Sequence, residues 1–116
     1  MTPEDAGRVS FDIPIGSTAL MHLREIADRE DVEPQTILRG ILDDTTTEFE
    51  ALPPPREEAR VYRPFPVRRE IAEEVRRSAH LTHREPEQIL QSLVERALEA
   101  RVEDHLAASM ASAGRS

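Results

Sequence analysis

A short phrase occurs twice in this chain: EPQTIL at positions 33–38 returns as EPEQIL 52 residues later. When residues 8–50 are aligned with residues 60–102 at that spacing, nine positions are identical and many others are conservative. Self-similarity at a fixed period indicates two copies of one structural unit. The chain therefore divides into repeat 1 (residues 8–50), a proline-rich linker (51–59), repeat 2 (60–102) and a tail (103–116) that we expect to be flexible.

Each repeat begins with a short stretch in which apolar residues alternate with polar ones. In repeat 1, Val9, Phe11 and Ile13 occupy alternate positions of RVSFDIP. A period of two, carried by β-branched and aromatic side chains, predicts a β-strand with one apolar face. We expect Pro14 to end this strand, because proline cannot donate a hydrogen bond to a neighbouring strand.

Two amphipathic helices follow the strand in each repeat. The first is about four turns long by its periodicity, and Ser17 or Thr18 can cap its amino terminus. The second begins with Glu33 near the N-cap and Pro34 at the first helical position, where the missing N–H of proline is not needed. The aliphatic residues at helical spacing predict the buried faces: Leu20, Leu23, Ile26, Ile37, Leu38, Ile41 and Leu42 in repeat 1, and Ile71, Val75, Ile89, Leu90, Leu93, Val94 and Leu98 in repeat 2.

A single repeat is too small to bury its own apolar faces. A lone strand also leaves its backbone N–H and C=O groups without partners. Two copies solve both problems, because their strands can pair antiparallel about a pseudo-two-fold axis above four interlocked helices. The sequence therefore predicts a mainly α-helical fold, in which the repeats form an intramolecular pseudo-dimer around a two-stranded antiparallel ribbon.

The order strand, helix, turn, helix, with the pattern x-V-x-F-x-I-P and a later P-x-x-I-L, resembles the ribbon-helix-helix fold of the Arc and MetJ repressor superfamily. The resemblance covers residues 8–50 and again residues 60–102. Most chains of that family carry one repeat and fold as homodimers, so this chain looks like the rarer tandem type. The resemblance implies sequence-specific binding of double-stranded DNA, as by a transcriptional repressor or a plasmid- or phage-type accessory factor.

In that family the ribbon enters the major groove, where alternate strand residues read the edges of the bases. The matching positions here are Arg8, Ser10 and Asp12 in repeat 1, and Arg60, Tyr62 and Pro64 in repeat 2. Arginine suits this role, because its guanidinium can donate two hydrogen bonds to guanine. The resemblance also implies that the amino terminus of each second helix holds a DNA phosphate. That assigns phosphate contacts to Gln35, Thr36, Glu87 and Gln88.

Several residues depart from the family pattern. Asp12 repels phosphate on the base-reading face and can accept a hydrogen bond only from cytosine. Glu33 and Glu85 stand where the family usually has a small hydroxyl residue, and each is either a competitor for the phosphate site or a structural N-cap. Strict alternation sends Arg63 to the core face opposite Phe11. Arg63 then either snorkels or stacks on that ring, or a bulge turns it outward to read bases.

The net charge of −8 argues against a nucleic-acid partner, although the charge is unevenly distributed. Repeat 1 has four arginines against ten acidic residues, whereas repeat 2 has nine against seven. We therefore expect repeat 2 to dominate the DNA contact and the DNA site to be an imperfect palindrome. The charge also supports an alternative function, a ribbon-helix-helix protein-interaction module or antitoxin with weak or no DNA binding.

Other functions find little support in the sequence. It contains no cysteine, no Ser/His/Asp arrangement and no glycine-rich phosphate loop, so we expect neither an enzyme nor a cofactor. His80 and His83 form an H-x-x-H motif that is better explained by an exposed helix end than by a metal site. Without a signal peptide or an apolar span, we expect a cytoplasmic, nucleoid-associated protein with no membrane partner, and further self-association on DNA stays open.

Overall fold

The structure is a computed structural model that describes residues 7–45 and 48–113, with side chains described as far as Ala107. It consists of four α-helices and one two-stranded antiparallel sheet, as the sequence predicts. The elements in chain order are β1 (Arg8–Gly16), α1 (Ser17–Glu30), α2 (Pro34–Asp43), a 3-10 helix (Phe49–Ala51), β2 (Arg60–Arg68), α3 (Arg69–Thr82) and α4 (Pro86–Ala113). The last helix does not end with repeat 2 at residue 102 but continues to Ala113.

The two strands pair along their whole length, from Arg8 opposite Arg68 to Gly16 opposite Arg60. The prediction that Pro14 ends β1 is wrong, since the strand runs on to Gly16. In a two-stranded ribbon each strand has a free edge, and alternate residues point their backbone nitrogen towards that edge. Proline can occupy such a position at no cost in hydrogen bonds. Pro14, Pro64 and Pro66 all lie in alternate pairs of the ladder.

The core lies beneath the ribbon and is built from both repeats together. The central helix α4 of repeat 2 packs against β1 and α1 of repeat 1, and α2 packs against β2 and α4. Leu90 and Leu98 on α4 are completely buried, as is Val67 on β2. Residues from both halves of the chain therefore share one hydrophobic core.

Helix α1 is capped from outside its own sequence. Neither Ser17 nor Thr18 serves as the side-chain N-cap that the sequence suggests, because the N-cap position is Gly16. Instead the carboxylate of Glu58, in the linker, accepts hydrogen bonds from the backbone N–H of Thr18 at 3.0 Å and from its hydroxyl at 2.7 Å. A Cβ at Gly16 would lie 2.5 Å from an oxygen of Glu58, so the glycine leaves the space that the carboxylate occupies.

Helices α1 and α3 end in the same way. Asp31 and His83 are the C-cap residues, with φ of 54° and 55°, in the left-handed region. The next residue in each case, Val32 or Arg84, donates its N–H back to an alanine carbonyl five residues earlier at 3.0 Å. This is the Schellman type of helix end, and it turns the chain towards the second helix of each repeat.

The linker lies against repeat 2 and is held at several points. Leu52 is buried, as is Phe49 just before the linker, and the guanidinium of Arg84 donates to the carbonyl of Leu52 at 2.7 Å. The backbone N–H of Arg56 donates to Glu95 at 3.1 Å, and its side chain pairs with Glu99. The linker is therefore a packed part of the fold as well as a connection between repeats.

Candidate nucleic-acid interface

The outer face of the ribbon presents alternate residues of both strands. The register pairs them as Arg8 with Arg68, Ser10 with Pro66, Asp12 with Pro64, Pro14 with Tyr62, and Gly16 with Arg60. Five of the predicted base-contacting residues therefore share this face: Arg8, Ser10, Asp12, Arg60 and Tyr62. Three arginines stand at its two ends, and an acidic residue with three prolines lies between them.

Arg8 is held by an ion pair within the fold. Its guanidinium donates to both carboxylate oxygens of Asp43, at 3.1 and 3.3 Å, and approaches the carbonyl of Pro66 at 3.5 Å. The side chains of Arg8 and Asp43 are only 19% and 21% exposed. A guanidinium in this two-pronged pair has part of its donor set occupied, so Arg8 is less available to guanine than its position in the strand suggests.

Arg60 lies at the opposite end of the ribbon and is exposed. Within the described part of the chain, its guanidinium makes a single hydrogen-bond contact, with the amide oxygen of Gln91 at 3.5 Å, which is at the limit of a hydrogen bond. The nearby carboxylate of Glu95 does not pair with Arg60. It accepts hydrogen bonds from the side chain of Gln91 and from the backbone N–H of Arg56, both at 3.1 Å. Arg60 therefore keeps most of its donors free for a ligand.

Arg63 resolves one of the alternatives that the sequence left open. The ladder is continuous from end to end, so no bulge turns Arg63 outward, and the option that made it a base-contacting residue on the outer face is not supported. It stands opposite Ile13, and Phe11 stands opposite Phe65, which corrects the expected pairing of Arg63 with Phe11. Arg63 lies on the core-facing side yet is exposed, because its long side chain reaches solvent at the ribbon edge.

The cation that stacks on Phe11 is Arg76 of α3, whose guanidinium carbon lies 5.4 Å from the ring centroid. A guanidinium over an aromatic face at this distance is attracted by the negative charge of the ring face. The sequence offered Arg63 for this contact. It could not identify Arg76, because that residue meets Phe11 only through the packing of one repeat on the other.

The amino terminus of α2 borders the ribbon. Gln35 and Thr36, two of the predicted phosphate contacts, line a shallow surface pocket together with Arg39 and with Pro64 to Pro66 of β2. Gln35, Thr36 and Arg39 are all exposed. The first backbone N–H groups of a helix carry partial positive charge, and Arg39 adds a full one. This pocket has the polarity that an anionic oxygen requires.

The amino terminus of α4 has different surroundings. Gln88 lines a pocket with Pro54 to Glu58 of the linker and with Arg60 and Arg84. Glu87, the other predicted phosphate contact, is half-buried, and its charge opposes an anion. Gln91, which matches Arg39 in the repeat, is completely buried. This second helix terminus therefore combines the positive Arg60 and Arg84 with the acidic Glu57, Glu58 and Glu87.

The arginines that cluster in the sequence of repeat 2 are divided between the two ends of the ribbon. Arg68 lies opposite Arg8, whereas Arg60 lies at the far end, because these two arginines are the last and first residues of β2. The sequence placed Arg68 among the arginines of repeat 2 that we expect to dominate a DNA contact, whereas it did not identify Arg39. Arg68 continues the alternation of Arg60 and Tyr62 beyond Pro66, where the strand was expected to stop. Arg39 follows Thr36 at the spacing that places two helical residues on one face.

Among the residues that the structure describes, no cluster of three or more His, Cys, Asp or Glu side chains is arranged to hold a metal ion. No helix in the described ranges has the length and apolar character needed to cross a membrane. When the chain was compared with models of protein families, with curated proteins and with solved structures, no match was found.

Proposed function

We propose that this chain is a tandem ribbon-helix-helix protein that binds double-stranded DNA in a sequence-dependent manner, with the outer face of its ribbon in the major groove. In this proposal the two repeats act as the halves of a pseudo-dimer. Exposed arginines on the ribbon contact bases or phosphates, and the amino terminus of α2 holds the DNA backbone. A role in transcriptional repression, or as a plasmid or phage accessory factor, is part of the same proposal.

The symmetry of the contacts supports the pseudo-dimer. Asp12 and Pro64, which match at the repeat spacing, are also paired in the ladder and lie at its centre. The backbone N–H of Ser17 donates to Ala59 at 2.8 Å, and that of Arg69 donates to Gly7 at 2.9 Å. These two hydrogen bonds exchange places under the repeat spacing. A pseudo-two-fold axis through the middle of the ribbon accounts for all of these pairs.

The observation that carries DNA binding is the position of the α2 amino terminus beside the ribbon. A strand face that enters the groove needs a neighbouring donor group at the height of the phosphates. Gln35, Thr36 and Arg39 border Pro64 to Pro66 and supply such donors. Arg68, which is 50% exposed and lies 3.7 Å from Glu70, adds positive charge further along the same strand.

This arrangement predicts unequal contacts with the two halves of a DNA site. The end near α2 carries Arg8, Arg39, Arg68 and Arg69 against Glu33, Asp43, Asp44 and Glu70, whereas the other end carries Arg56, Arg60 and Arg84 against Glu57, Glu58, Glu95 and Glu99. We expect the first end to hold the DNA backbone more tightly. Arg60, with its free donors, is then the best candidate to read a guanine at the second end.

A second function, protein interaction without DNA binding, is favoured by the centre of the outer face. Asp12 and Pro64 are exposed there, and Pro64 presents no donor to a base. Tyr62 is 61% exposed, as expected of an aromatic side chain that packs against a partner protein. Under this alternative the ribbon binds an apolar, basic protein surface, which suits the net charge of −8.

Binding to a random-sequence pool of DNA duplexes, measured over a range of salt concentrations, tests the proposal. A protein that neutralises phosphates releases counterions, so its affinity should fall linearly on a log–log plot of affinity against salt. Duplexes selected from the pool should share a sequence that is not a perfect palindrome. Binding that is undetectable at low salt, or that does not change with salt, contradicts the proposal and favours the interaction module.

Three arginine substitutions locate the interface. Arg60→Ala should weaken binding by ~1–3 kcal/mol and relax the preference for one base pair, whereas Arg39→Ala should weaken binding to all sequences and reduce the salt slope by about 1. Arg29→Ala is the matched control, because Arg29 lies at the end of α1 beside Arg101 and Asp104 of α4, away from the ribbon. Equal losses for all three substitutions would indicate non-specific attraction rather than binding by the ribbon.

A further inference from the structure

A surface pocket of about 440 Å³ opens between α1, α2 and β2. Its floor is aliphatic and aromatic, and consists of Ile15, Leu20, Leu23, Leu38 and Phe65. Its rim carries two arginines, Arg24 and Arg63, and one acid, Glu33. Pockets that bind small molecules are mostly apolar with a few convergent polar groups, and this one fits that description in size and in lining.

The matching place in the other half of the molecule is filled. At the repeat spacing, Arg63 matches Phe11 and Arg24 matches Arg76. Phe11 is buried, and Arg76 lies over its ring at 5.4 Å. One half of the molecule therefore has an aromatic ring covered by a guanidinium. In the half with the pocket, Arg63 stands where Phe11 stands in the other half, so Arg24 has no ring at that position to cover.

The burial of the surrounding residues reflects this difference. In the filled half, Val67, Ala72, Val75 and Leu90 all have 0% exposure. Their counterparts around the pocket are less well covered: Ile15 and Leu23 retain 3% and 2% exposure, Leu38 retains 6%, and Leu20 is only half-buried. Of these four counterparts, Leu20 is the one that leaves substantial apolar surface open to a ligand.

The two arginines at the rim are free to bind. Within the part of the chain that the structure describes, neither Arg24 nor Arg63 makes a hydrogen bond or an ion pair, and the carboxylate of Glu33 has no cation within ion-pair distance. Two arginines and one glutamate give this rim one net formal positive charge. A ligand with a single carboxylate balances that charge, and an arginine can bind a carboxylate through two parallel hydrogen bonds.

From these observations we infer that the pocket binds a small aromatic monocarboxylate. Its ring takes the place that Phe11 has in the other half, on the floor formed by Leu20, Leu23 and Phe65. Its carboxylate accepts hydrogen bonds from Arg24 and Arg63. The inference goes beyond DNA binding and does not depend on it, although it does depend on the equivalence of the two repeats.

Titration of the full-length protein with 3-phenylpropanoate, followed by amide NMR shifts, tests the inference. For a ligand of this size we expect a dissociation constant on the order of 1 mM, with the shifts concentrated on the residues that line the pocket. The neutral amide, 3-phenylpropanamide, should bind roughly tenfold more weakly, because it cannot form the charged hydrogen bonds. Equal binding of acid and amide, or shifts centred elsewhere, would overturn the inference.

Two substitutions give an independent test, with Arg77→Gln as the control on the exposed face of α3. Arg63→Phe should fill the pocket, raise the melting temperature and abolish the pocket shifts. Arg24→Gln leaves the floor of the pocket unchanged. It should weaken binding of 3-phenylpropanoate without weakening binding of 3-phenylpropanamide. The test therefore stands even if Arg63→Phe fails to fold. Undiminished binding of the acid to Arg24→Gln, or to a folded Arg63→Phe variant, also overturns the inference.

Discussion

Arg8 and Arg60 occupy the same position in the two repeats, but their surroundings differ. Arg8 is paired with Asp43, whereas Glu95, which matches Asp43 in repeat 2, bonds to Gln91 and to the linker instead. The chain has one linker, and it lies on the Glu95 side of the molecule. The comparison shows how a segment that occurs once can break the equivalence of two copies, because it takes the partner that one of the two arginines needs.

The largest expected difference between the repeats lies in the core. Leu38 and Leu90 match at the repeat spacing, and Leu90 has 0% exposure against 6% for Leu38 beside the open pocket. Leu90→Ala should cost about 3–5 kcal/mol of unfolding free energy, and Leu38→Ala about 2–3 kcal/mol, because a site at a pocket edge can relax more easily. Urea denaturation measures both. Equal losses would mean that the two cores are equally well packed.

The two arginine contacts should differ by less. A double-mutant cycle between Arg8→Ala and Asp43→Ala should give a coupling energy of about 1 kcal/mol, since the pair is two-pronged and mostly shielded from water. The same cycle between Arg60→Ala and Gln91→Ala should give a coupling near zero, because the contact is at 3.5 Å. A coupling as large for Arg60 as for Arg8 contradicts the asymmetry described above.

The left-handed C-cap residues offer a comparison in which the repeats should behave alike. Asp31→Gly and His83→Gly should each raise the unfolding free energy by about 0.5–1 kcal/mol, because glycine adopts positive φ without steric cost. Aspartate and histidine tolerate positive φ better than most residues, so the gain in unfolding free energy is smaller than it would be for another residue type at the same position. Thermal unfolding of the single variants tests this, and a loss in only one of them would show that its side chain has a further role.

The smallest effect concerns the cap of α1, for which α3 shows no counterpart among the described residues. The hydrogen bonds from Thr18 lower the pKa of Glu58 below its ordinary value of 4.5. A carboxylate whose pKa is lower in the folded state stabilises the protein above its unfolded pKa, and the benefit is lost as the pH falls through the folded value. The melting temperatures of the natural protein and of Glu58→Gln should therefore differ at neutral pH and converge in acid.

A matched substitution at the donor checks the origin of this pH dependence. Thr18→Val removes the hydroxyl that donates to Glu58 but leaves the backbone N–H in place. In the Thr18→Val background, the pH-dependent difference in melting temperature caused by Glu58→Gln should then become smaller but should not disappear. If Thr18→Val leaves the acid response of the natural protein unchanged, the hydroxyl does not contribute to the shift.

The repeat and its periodicity predict much of this fold. Alternation around Phe11 predicts a strand, and the spacing of Leu23 and Ile26 predicts the buried face of α1, because both signals are local. The extension of β1 past Pro14 was missed, since the rule against proline in strands applies to strands with neighbours on both sides. Likewise the cap from Glu58 is invisible in the sequence, because forty residues separate it from Thr18.

The candidate site was predicted less completely than the fold. The alternation that assigns Arg60 and Tyr62 to the outer face is correct, because side chains in a strand follow a strict period. No sequence rule indicates that Asp43 forms an ion pair with Arg8, because that contact depends on where α2 lies relative to β1. The same limit applies to the stacking of Arg76 on Phe11, which requires two repeats to be packed together.

The prolines of the ribbon have a consequence for its behaviour in a crowded solution. A sheet of two strands exposes both of its borders, and an unpaired border is a template on which strands from other molecules can add. Pro14 interrupts one border, and Pro64 and Pro66 interrupt the other. An incoming strand meets missing donors on either side, so the ribbon stays two strands wide and resists growth into fibrils.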